Sequence, residues 1–295
     1  MRTLRVLALI LMTIGSTAYA QEKTSYFDSN WLKVLISIEV ESKTDKETVY
    51  LPQGTGFLVQ TPQNHTALFT AKHVVYDEQT KKVRENLVYR LNRKGKDSDT
   101  VSETQVLSLA KTGWVFSGTV DIAARLIMGK DEDDIARIPF NSILNSDPDV
   151  GANVYVIGFP LGLRSEIYST PIVRQGIVSL VDPFLVDSFI FPGNSGGPVV
   201  YVPIIPLGKN IKTDVLQENK LIGLVTGYLP YQDVAISSQT KRPRIIFEEN
   251  TGLCTVVPSK TILEFMKSDK FAEVEKNSFI GLGPVQEKKG STPNN

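Results

Sequence analysis

The chain has 295 residues, 32 basic and 32 acidic side chains, 41% hydrophobic residues and a single cysteine, Cys254. Balanced charge gives no electrostatic case for binding nucleic acid, and one cysteine excludes an internal disulfide framework. Chains of this length bury about 75% of their unfolded surface, so burial alone can hold one large domain or two packed halves of one.

The first twenty residues, MRTLRVLALILMTIGSTAYA, carry Arg2 and Arg5, then an apolar core, then the small-residue site Ala18-Tyr19-Ala20. This reads as a secretory signal peptide over 1–20, cleaved after position 20. Its apolar core is short for a membrane span, and no later stretch reaches the ~20 apolar residues that a spanning helix needs. Cleavage would leave 30 basic against 32 acidic residues in an exported chain with no stable membrane insertion, periplasmic or secreted.

From residue 33, KVLISIEV sets Val34, Ile36, Ile38 and Val40 on one face and Lys33, Ser37 and Glu39 on the other, the pattern of a half-buried strand. Similar short strands follow at 54–60, 66–71, 120–127, 153–159, 174–181, 196–202 and 221–228, each bounded by Gly, Pro, Asn or Asp. Strongly periodic helical stretches are nearly absent, so the chain reads as mostly β. Pro62 and Asn64 make 61–65 a turn. RLNRKGK at 90–96, followed at once by DSD, reads as a solvated loop. One helix is expected at about 259–270, with Ser259 as its cap and Ile262, Leu263, Phe265 and Met266 as its apolar face. The tail at 281–295 is polar and reads as disordered. Cys254, in GLCTVVP with no neighbouring base, reads as a buried small hydrophobe.

Chemistry centres on GNSGG, residues 193–197, where Ser195 fits the G-x-S-x-G elbow of the α/β-hydrolases. That fold orders its triad serine, acid, histidine, and the two histidines of the chain outside the leader, His65 and His73, both precede Ser195. A serine hydroxyl needs a base to remove its proton, and imidazole is the usual one near neutral pH. His73 follows an apolar strand ending in small residues, LFTAKHVV, whereas His65 lies in a turn, so His73 is the candidate base. Asp121 in TVDIAARL is flanked by apolar residues, where a carboxylate is either paired or costly to bury. Asp77 follows His73 too closely to approach it from another element, and Asp233 lies in a polar loop after the serine. Histidine, acid, serine is the order of the chymotrypsin-type barrels.

Taken in order from about residue 34 to 267, LFTAKHVV, VDIAA, VIGFPLGL, RQGIVS, DSFIFPGNSGGPV and LIGLVTG resemble the trypsin-like serine peptidases, nearest to the bacterial HtrA/Deg-type branch. The resemblance implies an all-β peptidase domain over 21–280: two packed six-stranded antiparallel β-barrels, about 30–145 and 150–258, with a C-terminal helix. His73 and Asp121 would come from the first barrel and Ser195 from the second. It implies that Ser195 attacks a peptide carbonyl, that His73 serves as base and then acid, and that Asp121 orients the imidazole. Backbone N–H groups in the turn Gly193-Asn194-Ser195, those of Gly193 and Ser195, would meet the oxyanion. No cofactor and no metal is implied.

The same resemblance puts Phe189 at the floor of the primary pocket, with Ile190 and the strand Val225-Thr226-Gly227 as walls. This implies an apolar pocket for small or medium apolar side chains, beside a free strand edge that could pair with an extended substrate. Asn194 stands where zymogen-activated relatives have aspartate, so activation by a newly cut N-terminal amine is not expected. Two stretches, 203–220 and 229–251, exceed what a minimal member needs and are either gates or ordinary surface hairpins; no PDZ domain is expected after the helix. Two functions follow: an exported serine endopeptidase acting on proteins or peptides, or a noncatalytic peptide- or protein-binding module using the same cleft. Retention of all three residues favours the first, and nothing in the sequence sets an oligomeric state.

Overall fold

A computed structural model describes residues 27–110, 112–165, 167–203 and 218–278. The leader at 1–20, the tail at 281–295 and most of the stretch 203–220 lie outside the described residues. The strands, in chain order, are β1 (Leu35–Lys43), β2 (Thr48–Gln60), β3 (Thr66–Thr70), β4 (Tyr76–Asp77), β5 (Lys82–Val83), β6 (Leu87–Arg93), β7 (Lys96–Ser102), β8 (Val115–Phe116) and β9 (Ala123–Ile127) in the first half. The second half adds β10 (Asn153–Gly158), β11 (Ile172–Val181), β12 (Phe184–Asp187), β13 (Pro198–Tyr201), β14 (Lys220–Ile236) and β15 (Pro243–Pro258). Helices are short: α1 (Lys72–Val75), α2 (Glu103–Ala110), α3 (Ser259–Met266) and α4 (Asp269–Ser278).

The second half closes into a six-stranded antiparallel barrel in the order β10-β11-β12-β15-β14-β13. The first half departs from the six-stranded barrel expected there. It is a seven-stranded sheet in the order β7-β6-β1-β2-β3-β9-β8, open at β7 and β8, with β4 and β5 as a separate ribbon. β8 has two residues and β7 is the charged segment KDSDTVS, so neither edge offers an apolar face for closure. The C-terminal helices help to cover the sheet instead. Phe265 of α3 and Phe271 of α4 pack on Phe69 of β3 with ring centroids 6.3 and 6.2 Å away, and on each other at 5.8 Å. His65, in the turn between β2 and β3, pairs through Nδ1 with the buried Glu275 of α4 at 3.0 Å, and Thr61 donates to the same carboxylate.

Three local expectations are corrected. β1 is buried on both faces, because Ser37 and Glu39 are as inaccessible as Ile38. The charge is tolerable there because the Glu39 carboxylate accepts from Ser37 Oγ (2.9 Å) and from Arg90 Nε and Nη2 (2.9 Å each). RLNRKGK is the β6–β7 hairpin rather than a solvated loop, turning at Gly95 with φ of 66°, and its arginines are spent on Glu39 and Asp133. The C-terminal helix is two helices, broken at Lys267 and Ser268. Ser259 does not cap it, since its hydroxyl donates to Leu144 O at 2.6 Å.

Strands β6, β7, β12 and β15 had no counterpart in the sequence reading. β15 runs through GLCTVVP and leaves Cys254 fully buried, with burial pushing its thiol up to about 12, out of reach of thiolate chemistry. Beyond the barrel, β14 and β15 continue as a two-stranded arm through 229–251, so this long stretch is a hairpin. Among the described residues no helix is long and apolar enough to cross a membrane.

Truncating Phe271 to alanine should remove about 3–5 kcal/mol of stability, read by denaturant unfolding. An unchanged midpoint would contradict the role given to α4 in completing the first half's core.

Candidate active site

β3 pairs with β9 in a register that sets Thr70 opposite Ala123. The chain leaves β3 through Ala71 into α1, which carries His73, while Asp121 lies two residues ahead of β9. Both therefore emerge at the same end of the sheet. Asp121 Oδ1 accepts the His73 backbone N–H at 3.0 Å and Oδ2 meets His73 Nδ1 at 2.6 Å. Since the ionised carboxylate can only accept, Nδ1 carries a proton, and in the neutral ring the lone pair is then on Nε2. Burial alone would raise the Asp121 carboxyl. Hydrogen bonding and charge from the His73 ring, with the backbone N–H groups of His73 and Lys72, outweigh it and hold the group below its ordinary value of 3.8.

Ser195 sits between two glycines whose backbones only glycine adopts readily, Gly193 at φ of 100° and Gly196 at 83°. A Cβ on Gly196 would strike Thr55 O and Thr70 Oγ1, and one on Gly193 would strike Phe159 O. The serine loop is thus pressed against both halves. Thr55 of β2, fully buried, is the main clasp. Its N–H donates to Ser195 O at 2.9 Å, and its hydroxyl donates to Gly193 O at 2.6 Å while accepting from Phe159 N–H at 3.0 Å. Gly54, next to it, faces both Val74 of α1 and Ser195 O, its missing Cβ lying 2.6 and 2.9 Å from them. The helix of His73 and the loop of Ser195 therefore share one neighbour. The Ser195 hydroxyl makes a long contact with Thr226 O at 3.5 Å.

Peptide planarity fixes the donors of this loop. In a trans peptide the C=O and the following N–H point in opposite directions. Pro192 C=O is held by Leu161 N–H at 2.6 Å, and Asn194 C=O by Gly197 N–H at 2.9 Å. The N–H groups of Gly193 and Ser195 are turned the other way, and neither donates to a protein group among the described residues. Two free, preoriented donors beside a hydroxyl are what a developing oxyanion needs. Asn194 is buried, and its Oδ1 accepts Phe191 N–H at 3.0 Å, so its side chain folds back on its own loop.

The residues expected to form the pocket are not all together. Phe189 is 53% exposed and lies against Gly252, an exposure that does not fit a pocket floor; Ile190 is buried in the barrel core. Val225 is also in that core, and its backbone clips Gly196 and Gly197 at 2.7 and 2.9 Å. Thr226 and Gly227 follow the last β13–β14 pair, Pro198 with Leu224, so among the described residues their edge away from β15 has no strand partner. Asp77 caps a turn through Gln79 and Thr80, and Asp233 lies out on the arm. Among the described residues no cluster of His, Cys, Asp and Glu is placed to hold a metal.

The His73–Asp121 pair stands at one end of the open sheet, and the Ser195 loop, from the barrel half, lies against the same β2 neighbour, Gly54. Residues 54–201, from the clasp in β2 to the end of β13, match the model of the trypsin-like peptidase domain, and the chain belongs to that family.

Thr55→Val should slow acylation of Ser195 about tenfold or more while retaining the fold, because it frees Gly193 C=O and strands Phe159 N–H. Single-turnover kinetics would show it, and an unaltered rate would remove Thr55 from the account. The sign for Asp121 also follows. A carboxyl held low favours the native state fully above its ordinary value, and that contribution is lost as pH falls through the native value. Asp121→Asn should therefore flatten the acid limb of a stability profile, and an unchanged limb would contradict the pairing.

Proposed function

We propose that the protein is an exported serine endopeptidase of the HtrA/Deg-like type, cleaving peptide bonds in proteins through Ser195, His73 and Asp121. The observation that carries this reading is the double grip of one Asp121 carboxylate on the His73 backbone and ring, at the seam where the Ser195 loop is clasped. A turn of the Ser195 side chain from Thr226 O toward Nε2 gives the imidazole the hydroxyl proton as Oγ attacks the substrate carbonyl. The carbonyl oxygen becomes the oxyanion and takes the Gly193 and Ser195 N–H groups, each donor worth roughly 3 kcal/mol of barrier. Collapse breaks the C–N bond, and the proton on His73 passes to the leaving amine. Water then repeats the sequence on the acyl-enzyme, with His73 again taking and returning a proton, and Ser195 is restored.

Extended substrate would pair along the edge at Thr226 and Gly227. The absence of an acid at position 189 supports a preference for small or medium apolar residues before the cut bond. Asn194, bound to its own loop, supports an active site that needs no N-terminal amine. Export rests on the leader.

A fluorophosphonate probe should label the mature protein and not Ser195→Ala, and Asp121→Asn should lower turnover about 10⁴-fold. Silence of the wild type toward probe and peptides would favour a noncatalytic binding module. A peptide-library profile should show apolar residues before the cut, and cleavage confined to Arg or Lys would overturn the pocket assignment.

A further inference from the structure

We infer that Arg164, anchored by the buried Glu39–Arg90 pair of the first half, is a positioning residue for the oxyanion donor Gly193. The inference rests on the peptidase reading above. It starts from Glu39, completely buried in β1, whose charge is met within the first half by Ser37 and Arg90 and is reached from the second half by Arg164. Its Oε1 accepts from Arg90 Nε and from Ser37 Oγ at 2.9 Å each and its Oε2 from Arg90 Nη2 at 2.9 Å, while Arg164 Nη1 lies 3.2 Å from Oε1 as an ion pair. Arg90 comes from the neighbouring β6 of the same sheet, whereas Arg164 comes from the second half. One carboxylate thus ties the two halves together.

Arg164 closes a tight turn, Pro160–Gly162, that follows β10. Two successive residues of this turn have positive φ, Leu161 at 56° and Gly162 at 71°. Leucine in that region is strained and stays there only when its surroundings hold it. Its own backbone bonds, Gly162 N–H to Phe159 O at 3.0 Å and Leu163 N–H to Pro160 O at 2.9 Å, close the turn, and three further contacts brace it. Gly162 lies against Pro52 of β2, Arg164 Nη1 donates to Gly162 O at 3.3 Å, and the same guanidinium reaches Glu39. The strained residue is the one that matters for chemistry, because Leu161 N–H fixes Pro192 C=O at 2.6 Å and so aims Gly193 N–H away from it. Release of the turn would let Leu161 relax to negative φ, withdraw its N–H, and free the Pro192–Gly193 peptide to rotate. The donor would then be lost without any change in Ser195, His73 or the substrate edge.

Arg164→Ala tests this, since a side chain that is 25% exposed can be shortened with less disturbance than the buried Glu39. In the mature protein kcat should fall roughly 30-fold, part of the 10²–10³ that loss of a whole oxyanion donor costs, with KM within about twofold. Affinity for a peptide boronic acid, whose tetrahedral adduct uses the same donor, should weaken in parallel with kcat. Adding Leu161→Gly, which removes the penalty for positive φ, should restore kcat to within about threefold of wild type. A merely structural role would give no such rescue. Should Arg164→Ala fail to fold, Arg164→Gln takes its place in the same comparison. Unchanged kcat in the Arg164 variant, a loss carried by KM, or no rescue by Leu161→Gly overturns the inference alone. A wild-type protein silent toward substrate and boronate overturns the peptidase reading itself.

Discussion

The two halves of the molecule meet through a threonine. Thr55 gives its N–H to Ser195 O and its hydroxyl to Gly193 O, takes the N–H of Phe159, and has its own carbonyl bound by Thr70. A hydroxyl can donate once and accept as well, and here both capacities are used across the seam in a site closed to water. The His73–Asp121 pair and Ser195 are borne by separate halves, and they keep their relative placement only if the halves cannot slide. Several short hydrogen bonds from one side chain and its backbone supply that constraint, and the glycines at 54, 193 and 196 let the backbones come close enough to make them.

Around this seam the two halves solve different packing problems. The second closes on itself around its own cluster, while its Ile157, Val200, Leu221 and Leu224 join the core shared with the first half and α3. The first is an open sheet with charged or very short edges, and α3 and α4 cross back to put Phe265 and Phe271 against Phe69. The aromatic contact on β3 lies one strand from Thr55 and a few residues before His73. Packing of the C-terminal helices and placement of the His73–Asp121 pair are thereby joined through β3. The ion cluster at Glu39 provides a second crossing, on the side of the oxyanion turn.

Much of this was legible in the sequence, for identifiable reasons. Short apolar runs bounded by turn residues marked β2, β3, β9, β10, β11, β13 and the barrel part of β14, because a strand buried on one or both faces must look that way. His73, Asp121 and Ser195 were legible as candidates because chemistry restricts residue type and order. The structure pairs the first two and sets the third against the same β2 neighbour. What escaped depends on contacts far apart in sequence. Thr55 reads as an ordinary strand residue, and only its partners at 159, 193 and 195 give it meaning. Glu39 looked like the solvent face of a half-buried strand, since alternation cannot reveal that an arginine from position 164 will cover it. Leu161 carries no mark in the sequence of needing positive φ. The polar β7 and the arm end of β15 lack the apolar pattern by which strands are recognised, and Phe189 was assigned by resemblance to a floor that its exposure does not support.

The most direct measurement is a crystal structure of the mature protein bound to a peptide boronic acid. The account predicts a covalent bond from Ser195 Oγ to boron, a boronate oxygen within hydrogen-bonding distance of the Gly193 and Ser195 N–H groups, and His73 Nε2 on the serine side with Asp121 still on Nδ1. A boronate bound elsewhere, or a Ser195 that stays out of reach of His73 with the clasp at Thr55 intact, would contradict it.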